Sequence, residues 1–118
     1  MSPFQRGVHV STKTGKEERY DSSYERRRFE ALDASPLVLT WTREHGIRIP
    51  YTRGRRRHHY LPDILVEMVD GRCYLEEVKG YVRDPIGLAH KNFIACAYCL
   101  SRGLIFRLVR RDDLETVA

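Results

Sequence analysis

Two apolar runs, Ile64-Leu65-Val66 and Tyr74-Leu75, flank Asp70-Gly71 and have acids set into or against them: Asp63 before the first, Glu76 and Glu77 inside the second. Asp-Gly between β-forming runs is a strong turn signal, so Asp63–Val69 and Arg72–Lys79 are expected as the arms of a β-hairpin. Side chains alternate along a strand, which puts Leu75, Glu77 and Lys79 on one face and Tyr74, Glu76 and Val78 on the other. A buried carboxylate without a partner is strongly unfavourable, so a fold with this hairpin at its centre must supply a cation or a metal. Two carboxylates on adjacent strands, with a lysine one pleat away, form an oxygen site suited to Mg²⁺. Such a metal would polarise a phosphoryl oxygen and acidify bound water, while Lys79 would orient that water or stabilise charge on the phosphate. The alternative is a plain surface pair, Glu77 with Lys79, on an exposed sheet face.

Register decides whether the site exists. A two-residue Asp70-Gly71 loop pairs residue 69 with 72 and places Asp63 opposite Val78, facing away from Glu77. A shared site therefore requires a shift of one residue. Either a three-residue turn with Gly71 left-handed or a bulge near Pro62 would provide it.

Residues 1–20 are polar and are expected as a flexible arm ahead of a domain spanning 21–118. Asp21 or Ser22 can cap a helix running to about Asp33, closed by Ser35-Pro36 because the residue before proline avoids the α region. On that helix Glu25, Phe29 and Leu32 share a stripe. Glu25 is then either a capping-box residue or a third acid reaching the metal cluster, directly or through water. Strands are expected at residues 37–42 and 47–51, the second an edge strand because Pro50 lacks a donor. Asp84-Pro85 opens a second helix, on which Ala89, Phe93, Ala97 and Leu100 are expected to face the core. Gly103 ends it, and a strand at 104–110 follows. The expected order, α-β-β-β-β-α-β, describes an α/β fold: a mixed sheet flanked by helices.

At 118 residues the chain suits one domain. Its basicity is confined to the first half: residues 1–60 hold 13 Lys+Arg against 7 Asp+Glu, a net of +6, and the remainder 8 against 9, a net of −1. Arg26, Arg27 and Arg28, and the run Arg53, Arg55, Arg56, Arg57 and His58, are candidate phosphate contacts, or else solvated surface. Lys91 is a further candidate from the second helix. The first twenty residues contain no long apolar run, so neither a leader nor a membrane span is expected. Three cysteines cannot all pair within the chain, so reduced thiols in a cytoplasm are expected. Cys96 and Cys99 form a lone C-x-x-C inside a helical pattern and read as packed thiols rather than a zinc site.

At these residues the chain resembles the PD-(D/E)XK, or restriction-endonuclease-like, nuclease superfamily over roughly 21–111. Ser22-Ser23-Tyr24-Glu25, Ile49-Pro50-Tyr51, Tyr60-x-Pro62-Asp63 and Glu77-Val78-Lys79-Gly80 are similar to two groups within it, the TnsA-type transposase endonucleases and the phage junction-resolving endonucleases. The resemblance implies Mg²⁺-dependent hydrolysis of DNA phosphodiesters, with Mn²⁺ able to substitute, leaving 5′-phosphate and 3′-hydroxyl ends. Asp63, Glu77 and the Val78 carbonyl would hold the metal, Lys79 would serve the attacking water, and Glu25 would be the helix acid. Expected partners are DNA and either a second copy or a partner nuclease or transposase subunit, in a bacterial or phage-infected cytoplasm. The rival expectation is a DNA-binding accessory subunit that keeps the fold and performs no hydrolysis.

Overall fold

The computed structural model describes residues 5–117. The first departure from expectation is the polar N-terminal segment. Its first four residues lie outside the described range, but Gly7–Val10 (β1) and Glu17–Tyr20 (β2) pair as an antiparallel hairpin rather than an arm. The hairpin is tied down by polar contacts. His9 Nε2 lies 2.7 Å from Asp33, Ser11 Oγ donates to Asp33 at 2.5 Å, and the buried Glu18 accepts from the backbone N–H of Arg43 at 3.0 Å. The outer face of β2 is charged (Glu17, Arg19) while that of β1 is apolar and exposed (Val8, Val10), so the two four-residue strands leave no hydrophobic pattern that marks an inner face.

Helix α1 (Ser23–Ala34) begins as the capping signal implies: Ser22 Oγ accepts from the Glu25 N–H at 3.2 Å. The Glu25 carboxylate reaches back to the Asp21 N–H, also at 3.2 Å, one residue further than a regular capping box. The other elements are β3 (Val38–Thr42), β4 (Ile49–Arg53), β5 (Arg56–Tyr60), β6 (Ile64–Met68), β7 (Cys73–Lys79), α2 (Pro85–Ser101) and β8 (Ile105–Arg110). The central sheet runs β3-β6-β7-β8 and is mixed, with β8 parallel to β7 and the other pairs antiparallel. Here β4 pairs with β5 as a separate hairpin, and the Arg/His run at 53–59, where no strand is expected, supplies the end of β4, the turn and most of β5.

Each face of the sheet carries a helix. Against one face, Phe29 and Leu32 of α1 pack with Val38, Trp41, Ile64, Val66, Met68, Tyr74 and Val78. Against the other, Ala95 and Cys99 of α2 pack with Leu75, Ile49 and Tyr60. The architecture is thus α/β, a mixed sheet between two helices.

Helix α2 is rotated from its expected orientation. Its inner face is Ile94, Ala95, Tyr98 and Cys99. The stripe Ala89, Phe93, Ala97 and Leu100 faces solvent, with Phe93 76% and Leu100 82% exposed. The helix has apolar residues on both sides, so periodicity finds a stripe without showing which stripe is covered. The helix ends cleanly. Gly103 takes a φ of +71° and Leu104 N–H returns to the Cys99 carbonyl at 2.9 Å.

Candidate active site

The geometry of the site follows from the turn joining β6 to β7. Gly71 N–H donates to the Met68 carbonyl at 3.0 Å, Met68 N–H donates to the Arg72 carbonyl at 2.8 Å, and Gly71 adopts a φ of +93°. This is a three-residue loop with a left-handed glycine, the first of the two devices a shared site requires. The strands consequently pair Leu65 with Leu75 and Ile64 with Glu76, and Asp63, one residue earlier, falls across from Glu77.

Asp63 is held at both ends. Its N–H donates to the Glu76 carbonyl at 2.8 Å, and its Oδ2 accepts from the Val78 N–H at 2.7 Å. Burial, followed by the charge of Glu77, pushes its carboxyl up to about 8 despite the Val78 hydrogen bond. Glu77 is buried. Its Oε2 lies 3.3 Å from Lys79 Nζ, while its Oε1 has no hydrogen-bond partner among the described residues. Glu25 approaches from the N-terminus of α1. Burial, then repulsion from Asp63, raises it to about 7, against the pull of Arg43 at 3.6 Å. Glu25 thus ties down the start of α1 and stands near enough to Asp63 to feel its charge.

Two clefts border this cluster. One, of about 210 Å³, places Lys79 beside Arg53, Arg83 and Lys91, with Asp84 the one acid in its lining. The other, of about 460 Å³, is lined by the acids Asp63, Asp21 and Glu44 together with Arg19, Arg43 and His45. The donor set of the cluster is hard oxygen, which suits a small divalent cation, and the orphaned Glu77 Oε1 beside a mutually repelling pair of acids is the arrangement a cation would relieve. Among the described residues, no group of three or more His, Cys, Asp or Glu side chains is placed to hold a metal ion. A cation at Asp63 and Glu77 would therefore need main-chain, water or substrate oxygens as well.

The predicted basic residues divide into three groups. Arg53, Arg55, Arg56, Arg57 and His58 all lie on the exposed β4–β5 hairpin, with Arg53 at the cleft beside Lys79. Lys91 also lines that cleft, its ammonium 5.7 Å from the centre of the Tyr60 ring. On α1, Arg26 pairs with Glu30 at 3.6 Å and Arg27 with Glu115 at 2.8 Å. Arg28 cannot contact DNA. It is fully buried, forks onto Glu76 at 2.8 and 2.7 Å, and donates to the carbonyls of Leu114 and Thr116 at 2.9 and 2.7 Å. Glu76 is also held by Arg107 of β8. Of the three consecutive arginines Arg28 is the one on the inward side of α1, beside Phe29 and three positions after Glu25, and the buried Glu76 opposite holds it there.

Three site residues have no signal as such in the sequence. Arg43 follows β3 and lies close to both Asp21 and Glu25. Tyr60 buries its hydroxyl with no hydrogen-bond partner among the described residues, and burial, then the Glu77 charge, raises its pKa above the ordinary phenol value. His45 accepts from Ile47 N–H at Nδ1 (2.9 Å), so its Nε2 carries the proton and donates to the Pro62 carbonyl at 2.7 Å. Of these, only Tyr60 falls inside a quoted motif. Gly80 and Tyr24, in two others of the quoted motifs, are matched to each other, because a Cβ at Gly80 would lie 2.2 Å from ring carbons of Tyr24. The Tyr24-Glu25 and Lys79-Gly80 segments therefore touch.

No protein-family model matches the chain, and no curated protein matches it. Among the described residues, no helix is long and apolar enough to cross a membrane.

Proposed function

We propose that this protein is a Mg²⁺-dependent DNA endonuclease of the restriction-endonuclease-like kind, of TnsA-like or phage structure-selective type. The observation that carries the reading is the one-residue register shift that sets Asp63 across from Glu77, with Lys79 at 3.3 Å from Glu77. An enclosed pair of repelling acids contributes nothing to stability, and it adjoins a cleft whose cations suit phosphate. Asp63, Glu77 and the Val78 carbonyl would hold the cation, which would supply Lewis-acid polarisation of a phosphate oxygen and a lowered pKa for water. Lys79 places its charge beside Glu77 and stabilises the phosphate as negative charge builds on it. Glu25, titrating near 7, is suited to accept the proton of the attacking water. Water oxygen would bond to phosphorus as the bond to the 3′-oxygen breaks, with the departing 3′-oxygen taking a proton from solvent, leaving 5′-phosphate and 3′-hydroxyl ends. Arg53 and Lys91 in the cleft, with Arg55, Arg56 and Arg57 on the hairpin, hold the backbone and carry no base code.

The test is supercoiled plasmid incubated with purified protein in Mg²⁺ and in EDTA, beside Lys79→Ala, with branched DNA as a second substrate. Metal-dependent nicking or linearisation that Lys79→Ala abolishes is the expected result. Salt-dependent binding to both substrates without cleavage, unchanged by Mg²⁺ and by Asp63→Ala, would overturn it in favour of the accessory subunit.

A further inference from the structure

The solvent face of α2 has no ordinary explanation as surface. No exposed residue along it, from Pro85 through Ile86, Ala89, His90, Phe93, Cys96, Ala97 and Leu100 to Ser101, is a Lys, Arg, Asp or Glu. The helix's single Lys/Arg/Asp/Glu residue is Lys91, which turns toward the cleft beside Lys79. Ile86 is 84%, Phe93 76% and Leu100 82% exposed. These three recur every seven residues, the period of a seam between paired helices rather than of a face packed on a sheet. Monomer surfaces seldom leave so continuous an apolar patch in water, whereas interface centres are depleted of charge and rich in aromatic residues.

The stripe is also symmetrical in sequence. Counted outward from Phe93, four residues in either direction is an alanine (Ala89, Ala97) and seven is a large aliphatic residue (Ile86, Leu100). We infer that α2 pairs with α2 of a second copy, antiparallel, about a two-fold axis at Phe93. That axis sets Phe93 against its counterpart, Ile86 against Leu100, and each alanine against the other, so every position meets one of its own size. A two-fold interface must be self-complementary in this way. The small residues beside the aromatic ring give it a recess on the opposite helix. From ordinary side-chain areas the face would bury about 600 Å² per copy, or about 1,200 Å² in all, the lower bound for a stable specific dimer. A parallel pair is disfavoured because it would stack like helix ends and leave Ile86 over Ile86 with the two dipoles aligned.

The inference is independent of the nuclease reading, since the measurement requires no DNA. Light scattering after size exclusion at micromolar concentration should give twice the chain mass, and Phe93→Asp should give the monomer mass with an unchanged circular dichroism spectrum. The antiparallel axis brings residue 86 of one copy face to face with residue 100 of the other, both within about 20° of the stripe's centre. Ile86→Cys with Leu100→Cys in a Cys96→Ser background should therefore form an intermolecular disulfide under mild oxidation, and neither cysteine alone should do so. A monomeric wild type, or a dimer that Phe93→Asp leaves intact, overturns the inference. A dimer sensitive to Phe93→Asp that cross-links through Ile86→Cys alone or Leu100→Cys alone overturns the antiparallel arrangement.

Discussion

Glu76 and Glu77 are neighbours on β7, and the same substitution should affect them in opposite ways. Glu76 is fully buried and accepts from Arg28 at 2.8 and 2.7 Å and from Arg107 at 2.8 Å. Glu76→Gln keeps the volume but leaves the fully buried Arg28 without its counter-charge. Breaking a buried pair costs about 3–5 kcal/mol. Because Arg28 keeps its carbonyl acceptors at Leu114 and Thr116, the lower end applies, about 3 kcal/mol. For a domain of this size that lowers Tm by about 12 °C. Glu77→Gln instead removes the charge that opposes ionisation of Asp63. At pH 8 in EDTA this variant should match or exceed the wild type, by up to about 1 kcal/mol, a shift of less than one pKa unit. It should also be unable to cleave plasmid. Thermal unfolding of both variants by circular dichroism, beside the nicking assay, decides the matter. Equal destabilisation by the two substitutions would refute the division of labour, as would a Glu76→Gln variant as stable as the wild type.

Three further outcomes follow from the same geometry. Asp63 is raised from 3.8 to about 8 and Glu25 from 4.5 to about 7, so the folded chain keeps protons that the unfolded chain has released. In EDTA, stability should therefore fall as pH rises from about 4 to about 8 and Asp63→Asn should flatten much of the slope; a flat or rising wild-type profile would contradict the burial of these acids. Gly80→Ala forces a Cβ onto the Tyr24 ring and should cost about 1–3 kcal/mol, partly recovered by Tyr24→Ala in the same chain, as read by urea unfolding. Arg55→Ala with Arg57→Ala should leave Tm unchanged and reduce the slope of log affinity for DNA against log salt by about 2, whereas an unchanged slope would remove the hairpin from the interface.

The readable part of the fold was the part with strong local chemistry. Ser22 and Asp84 cap their helices, and Gly103 closes α2 as its position implies. The alternation that separates Leu75 and Glu77 from Tyr74 and Val78 matches the two clusters on opposite faces of the sheet. What was not legible depended on distant partners. The β1–β2 hairpin is held largely by side-chain contacts to Asp33 and Arg43, which no local pattern encodes. In sequence Arg28 is indistinguishable from its two neighbours, and its burial depends on Glu76, 48 residues away. The β5 strand was obscured by its charges, since Arg56 to His59 form an exposed strand that no core shields. The α2 face was misassigned because a stripe that packs against nothing here has the same spacing as one that packs inward.

The hairpin register has a separate cause, which gives the last prediction. Shifting β6 by one residue would turn the exposed Glu67 into the face packed on α1 and carry Ile64, Val66 and Met68 out of it, so the burial pattern and the turn specify the same register. The turn fixes it locally. Its three-residue form needs a left-handed residue at position 71, where φ is +93° and nothing lies within 4 Å of an added Cβ. Substitution there is accordingly free of steric crowding, and its cost is backbone conformation alone, about 1–2 kcal/mol for an ordinary residue. Asn tolerates this region better than Ala, and β-branched Val worst, so stability should fall in the order Gly, Asn, Ala, Val. Loss of cleavage should follow the same order, because the substitutions that strain the turn also weaken the pairing that holds Asp63 across from Glu77. Urea unfolding of the three variants with parallel plasmid assays measures both series. Three variants as stable and as active as the wild type would mean that the turn does not set the register. Cleavage lost without regard to stability would mean that position 71 acts on the site by some other route.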